Sequence, residues 1–172
     1  DMYTSTWNSG VLHFASAGNG GDDSIGDNGS GFPGSASWVI SVSALDPDGT
    51  LTSFSNYGTG CDLCAPGIAV YTTDRSDSAG YSGNDYTYFA GTSAASPCAA
   101  GVGALMAAQF PFATPSQLRT AIFNSCRDLG TAGIDTFYNR GFINAFNALR
   151  ENAPSNDTCS SPIVIDSNFY AN

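Results

Sequence analysis

Gly91-Thr92-Ser93-Ala94-Ala95-Ser96-Pro97 runs directly into a stretch of almost wholly small and apolar residues that continues to about Gln109. The pattern predicts a helix that follows Ser93. Ala94, Ala95, Ala99, Ala100, Gly101, Gly103, Ala104, Ala107 and Ala108 give this helix no polar face, so it belongs between layers of a folded core. Ser93 then stands in its first turn, where unpaired backbone N–H groups and the helix dipole favour developing negative charge. A hydroxyl in that setting suits an acyl-transfer nucleophile. The chain has one histidine, His13, and it lies far upstream in an apolar, strand-like run, where a packed role fits better than that of a general base.

The 172 residues suffice for one sizeable core and are too few for two full domains. Five arginines and no lysine face 14 aspartates and one glutamate, for a net charge of −10. Without a basic patch, the surface excludes nucleic acid and anionic membranes as partners. It suits an extracellular protein, and acidic loops can recruit divalent cations. The longest apolar run, residues 98–110, is too short to span a bilayer. The five cysteines allow two disulfides with one left over, or serve Cys64, Cys98 and Cys126 as small buried packing residues. The single CxxC formed by Cys61 and Cys64 has no partner that would complete a zinc site.

Outward from the central helix, the chain reads as strands alternating with helices. A helix is expected over residues 2–7, strands over 11–17 and 38–45, and shorter strands over 51–54, 61–65, 68–72 and 86–89. Residues 18–34 hold seven glycines and three aspartates and read as a long loop. Thr114-Pro115-Ser116-Gln117 is a capping box opening a helix that ends near Cys126. A last short helix is expected over 143–150, so that residues 1–150 form one unit. Residues 151–172 read as a linker and the start of an appended module.

The 91–97 segment resembles the Gly-Thr-Ser-x-Ala-x-Pro nucleophile motif of subtilisin-like serine proteases, the subtilases. Four further segments match in order: Ala15-Ser16-Ala17-Gly18-Asn19, Gly31-Phe32-Pro33, Ser53-Phe54-Ser55-Asn56-Tyr57-Gly58 with Ala65-Pro66-Gly67, and the closing segment YNRGFINA at 138–145. The resemblance implies an α/β, three-layer fold with a mostly parallel sheet and a buried central helix after the nucleophile. It implies Ser93 as nucleophile, with the Asn19 amide and the Ser93 N–H as the oxyanion hole. Gly18 and Gly31 would line the primary side-chain pocket, and Pro33 would follow a cis peptide bond. The substrates implied are proteins or peptides, and a propeptide is a further partner of such enzymes.

The family's Asp-x-Gly and His-Gly-Thr motifs are not found in this chain. Two readings follow: the C-terminal part of a larger catalytic domain whose acid and base lie upstream, or a relative that keeps the fold for binding or scaffolding. The intact nucleophile and oxyanion motifs favour the first. Alone, such a piece is expected to lack protease activity, to expose a sheet edge and a helix face, and to aggregate. By the same resemblance, Asp62 with carbonyls of Gly34 and Ala36 would offer a weak structural Ca²⁺ site. Asp22, Asp23 and Asp27 form an acidic rim without EF-hand spacing. Asn28-Gly29-Ser30 and Asn156-Asp157-Thr158 are formal glycosylation sequons.

Overall fold

A computed structural model describes residues 2–21 and 29–151. The aspartates at 22, 23 and 27, the sequon asparagines 28 and 156, Cys159 and the segment beyond 151 lie outside the described residues. The element order is α1 (Met2–Asn8), β1 (His13–Ser16), β2 (Val39–Leu45), β3 (Leu63–Pro66), β4 (Val70–Thr73), β5 (Tyr86–Phe89), α2 (Thr92–Gln109), α3 (Pro115–Ser125) and α4 (Ala145–Glu151), with a 3₁₀ turn at Asp77–Ala79. β1, β2 and β3 form a parallel sheet in that order, with Ala15 opposite Ser41 and Ala44 opposite Ala65. The 138–145 motif borders β3, where Cys64 N donates to Gly141 O and Ile143 N to Cys64 O. Among the described residues, the outer edge of β1 has no strand partner.

Three layers follow from side-chain alternation along the strands. On β2, Ile40, Val42 and Ala44 join Leu63, Ala65, Ala95, Ala99 and Met106 in the core beneath α2. Ser41 and Ser43, on the opposite face, are buried but satisfied, Ser41 by Ser30 Oγ at 2.6 Å and Ser43 by Asn56 O at 2.9 Å. On β1, Phe14 packs against α2, while its neighbour His13 meets α1 on the other side through Thr6 and Tyr3. The small residues of α2 allow this close approach: a Cβ on Gly103 would lie 2.7 Å from the Phe14 ring.

Several boundaries differ from expectation. α2 begins at Thr92, so Ser93 is its second residue. Residues 51–54 are no strand; Leu51 makes one antiparallel bridge to Leu45 and the chain then turns. β4 and β5 leave the main sheet as an antiparallel hairpin, Val70 opposite Phe89. The capping box at Thr114 and Gln117 forms as read. Central helix α2 is buried on one side only. Ser93, Pro97, Gly101, Ala104, Leu105 and Ala108 form an exposed stripe along it, with Leu105 at 52% exposure. Cys64, Cys98 and Cys126 form no disulfide among the described residues, and each packs within or against the core.

Candidate active site

The carboxyl ends of the parallel strands converge on the N-terminus of α2, where open α/β sheets usually place their sites. From β3, Gly67 O accepts from Gly91 N at 2.8 Å, tying Ala65-Pro66-Gly67 to the helix start. Gly67 must be glycine, since a Cβ there would lie 2.3 Å from that of Ala44. Gly91 has φ of 132°, a conformation that only glycine adopts readily.

From β1 comes Asn19, whose Oδ1 accepts from Thr92 N at 3.0 Å and from Thr92 Oγ1 at 2.8 Å. The oxygen is occupied, Asn19 is exposed, and Nδ2 has no acceptor among the described residues. Ser93 N–H, at the second helical position, likewise has none. Both donors border Gly91: a Cβ placed there would sit 3.3 Å from Asn19 Nδ2 and 3.6 Å from Ser93 N. Ser93 itself is exposed. The tertiary structure therefore brings Asn19, Gly91 and Ser93 together, with two free N–H donors beside an accessible hydroxyl.

The two pocket glycines differ. A Cβ on Gly31 would meet only Ala17 O, at 3.8 Å, and Gly31 is exposed. Gly18, at φ of 119°, has its side-chain space filled from within, since a Cβ there would lie 2.6 Å from Asn56 Nδ2. The Phe32–Pro33 peptide is cis. Thr92 and Asn56, to which the motifs alone assign no role, carry much of this arrangement. Both stand inside the 91–97 and 53–58 motifs.

His13 lies at the start of β1, the end remote from Asn19, with Nε2 at 2.9 Å from Thr6 Oγ1 and its ring edge-on to Tyr3. It is a packing residue. No side chain among the described residues hydrogen bonds Ser93 Oγ.

The Asp62 carboxylate is engaged by protein donors. It faces Arg140 at 3.3 Å and Arg119 at 3.8 Å, and accepts from Ser41 N at 3.0 Å. Arg119 also donates to Ser37 O at 2.9 Å, so a guanidinium already spans carboxylate and loop carbonyl. Ala36 O accepts from Val39 N. Burial raises the Asp62 carboxyl above the ordinary carboxylate range against the opposing pull of Ser41 N–H and the two arginines. Among the described residues, no three His, Cys, Asp or Glu side chains converge.

Comparison with known proteins identifies the family. The model of the subtilase family matches residues 2–141. The chain is 38% identical over 143 residues to the thermophilic serine proteinase of Bacillus sp. (strain AK1), covering 83% of this chain and 32% of that protein. It is 37% identical over 136 residues to subtilisin DY of Bacillus licheniformis, covering 79% of this chain and 46% of that one. Among solved structures, fervidolysin from Fervidobacterium pennivorans, a keratinolytic enzyme related to subtilisin, superposes with a TM-score of 0.73 at 29% identity, over 87% of this chain and 24% of fervidolysin. The chain thus spans less than half the length of these relatives. With the family model matching residues 2–141 and a solved subtilisin relative sharing the fold, the chain belongs to the subtilase family.

Proposed function

We propose that this chain is the C-terminal portion, residues 1–150, of the catalytic domain of a secreted serine endopeptidase, followed from 151 by a linker and a further module. Ser93 Oγ attacks the peptide carbonyl. A histidine supplied from upstream takes its proton and passes it to the leaving amine, and an upstream aspartate orients that histidine. Water then cleaves the acyl-enzyme. The tetrahedral oxyanion is held by Asn19 Nδ2 and Ser93 N–H, aided by the dipole of α2. Gly31 leaves room for the substrate side chain next to the scissile bond, and Gly18 shapes that pocket by admitting Asn56 behind it. Substrates are proteins or peptides, and the enzyme's own propeptide is a further ligand of the cleft.

The observation that carries this reading is the fixed amide of Asn19. An asparagine at a strand end has no local reason to turn its carbonyl onto a helix N-terminus and leave its NH₂ beside an exposed serine. The bare stripe of α2 and the open edge of β1 support an upstream segment that covers both. The acidic, lysine-free composition supports an extracellular site of action.

The test is covalent labelling of the full-length protein with a peptidyl organophosphonate. Labelling at Ser93, lost in Ser93→Ala together with protease activity, is the expected result. A folded full-length protein that neither labels nor cleaves would favour the non-catalytic binding module instead.

A further inference from the structure

We infer that Asn56 is a positioning residue of the oxyanion hole, acting through the backbone on either side of Asn19; this rests on the reading of Asn19 as an oxyanion donor. Four hydrogen bonds carry it. Asn56 Oδ1 accepts from Gly20 N at 2.7 Å, and Asn56 N donates to Gly18 O at 2.9 Å, so the residues flanking Asn19 are both gripped. Asn56 Nδ2 donates to Ala17 O and to Gly29 O, each at 3.2 Å. One side chain thereby joins the Asn19 loop to Gly29, two residues before Gly31.

The grip is anchored to the rigid centre of the sheet. Asn56 O accepts from Ser43 Oγ at 2.9 Å and from Ser55 Oγ at 3.0 Å, and Ser55 Oγ in turn accepts from Ala44 N at 2.9 Å. Ser43 and Ala44 belong to β2, whose seven residues are all buried. The fit leaves no slack: Cβ atoms on Gly18 and Gly21 would lie 2.6 Å from Asn56 Nδ2 and 2.5 Å from Ser53 O. A continuous set of hydrogen bonds therefore runs from β2 through Asn56 to Gly18 and Gly20. Asn19, between them, is held from behind by Asn56 and from in front by Thr92. Asn56 itself does not touch the substrate's reacting atoms.

Donors in an oxyanion hole must be preorganised, and a displacement of about 1 Å can cost about 10²-fold in rate. In the full-length enzyme, Asn56→Ala is expected to lower kcat by about that factor with KM changed less than about 3-fold, because the defect lies in transition-state stabilisation. The deciding measurement is a double-mutant cycle with Asn19→Ala, each rate normalised to the fraction of Ser93 titrated by phosphonate. Once Asn19 is removed, Asn56→Ala should cost less than about 3-fold more. Asn56→Asp, which keeps the acceptor for Gly20 but lacks donors for Ala17 and Gly29, is carried through the same cycle and should show an intermediate, equally non-additive loss. Fully additive losses, or an unchanged kcat in both variants, would overturn the proposal. Failure of the oxyanion reading looks different, since Asn19→Ala alone would then leave kcat intact.

Discussion

Thr92 orients Asn19: both its backbone N–H and its hydroxyl donate to the same carbonyl oxygen, at 3.0 and 2.8 Å. The Thr92 hydroxyl also accepts from Gly18 N at 3.3 Å. Thr92 thus fixes which end of the Asn19 amide faces the start of α2. Thr92→Val preserves shape and removes the hydroxyl. One neutral hydrogen bond is worth about 1 kcal/mol, so kcat in the full-length enzyme should fall about 5- to 10-fold while Thr92→Ser stays near wild type. A loss in Thr92→Ser as large as or larger than that in Thr92→Val would show that the hydroxyl is not what orients Asn19.

Asn19→Ala and Gly91→Ala test the donors directly. For Asn19→Ala the expected loss of about 10²–10³ in kcat is the magnitude known for the oxyanion asparagine of a subtilisin. Gly91→Ala should be at least as damaging, because it strains a φ of 132° and places a methyl group 3.3 Å from Asn19 Nδ2. Steady-state kinetics with KM and kcat separated checks both; a pure KM effect would refute the assignment.

At Asp62 the arginines stand where a cation was expected. Arg119→Met should lower stability by about 1–2 kcal/mol, between an exposed and a buried pair, since Arg140 remains. Linkage gives a second signature. Asp62 has a folded pKa above its ordinary 3.8, so the folded state binds the proton more tightly there and stability falls as pH rises from 3.8 through the folded value. Asp62→Asn should flatten that segment of the urea-unfolding profile against pH. A slope of opposite sign in the wild type would show that the ion pairs outweigh burial.

Burial also silences two thiols. It drives the Cys64 thiol far up and pushes Cys126 up to about 12, and each thiol meets a carbonyl, Tyr138 O and Ile122 O. Only thiolate reacts, so iodoacetamide at pH 8 should leave both unmodified in the folded full-length protein and label them after unfolding. Labelling of the native protein at either position would contradict the packing role.

Leu105 tests whether an upstream segment covers α2. In the isolated chain it is half exposed, and Leu105→Glu should raise solubility. In the full-length protein the same change should cost at least about 2 kcal/mol by placing a charge in an apolar contact. A neutral effect there would mean that α2 stays bare.

Local patterns were sufficient for much of the fold and less of the site. The Thr114–Gln117 capping box, the small-residue helix ending at Gln109 and the strand over 86–89 formed as read, because each is decided by neighbours a few residues apart. Residues 51–54, Leu-Thr-Ser-Phe, form no strand because only Leu51 finds a partner, in its bridge to Leu45.

By itself, the sequence determined the order of motifs and the placing of Ser93 in a helix's first turn, since glycine positions and hydrophobic spacing are local constraints; the parallel α/β class came with the resemblance that those motifs carry. Only the tertiary structure decided which way the Asn19 amide faces, what fills the space at Gly18 and which charges Asp62 meets. Those depend on contacts between Asn19 and Thr92, 73 positions apart, between Gly18 and Asn56, and between Asp62 and Arg140, 78 apart. Spacing along a chain encodes backbone conformation; the orientation of a polar side chain is set by whichever donors the folded core delivers to it.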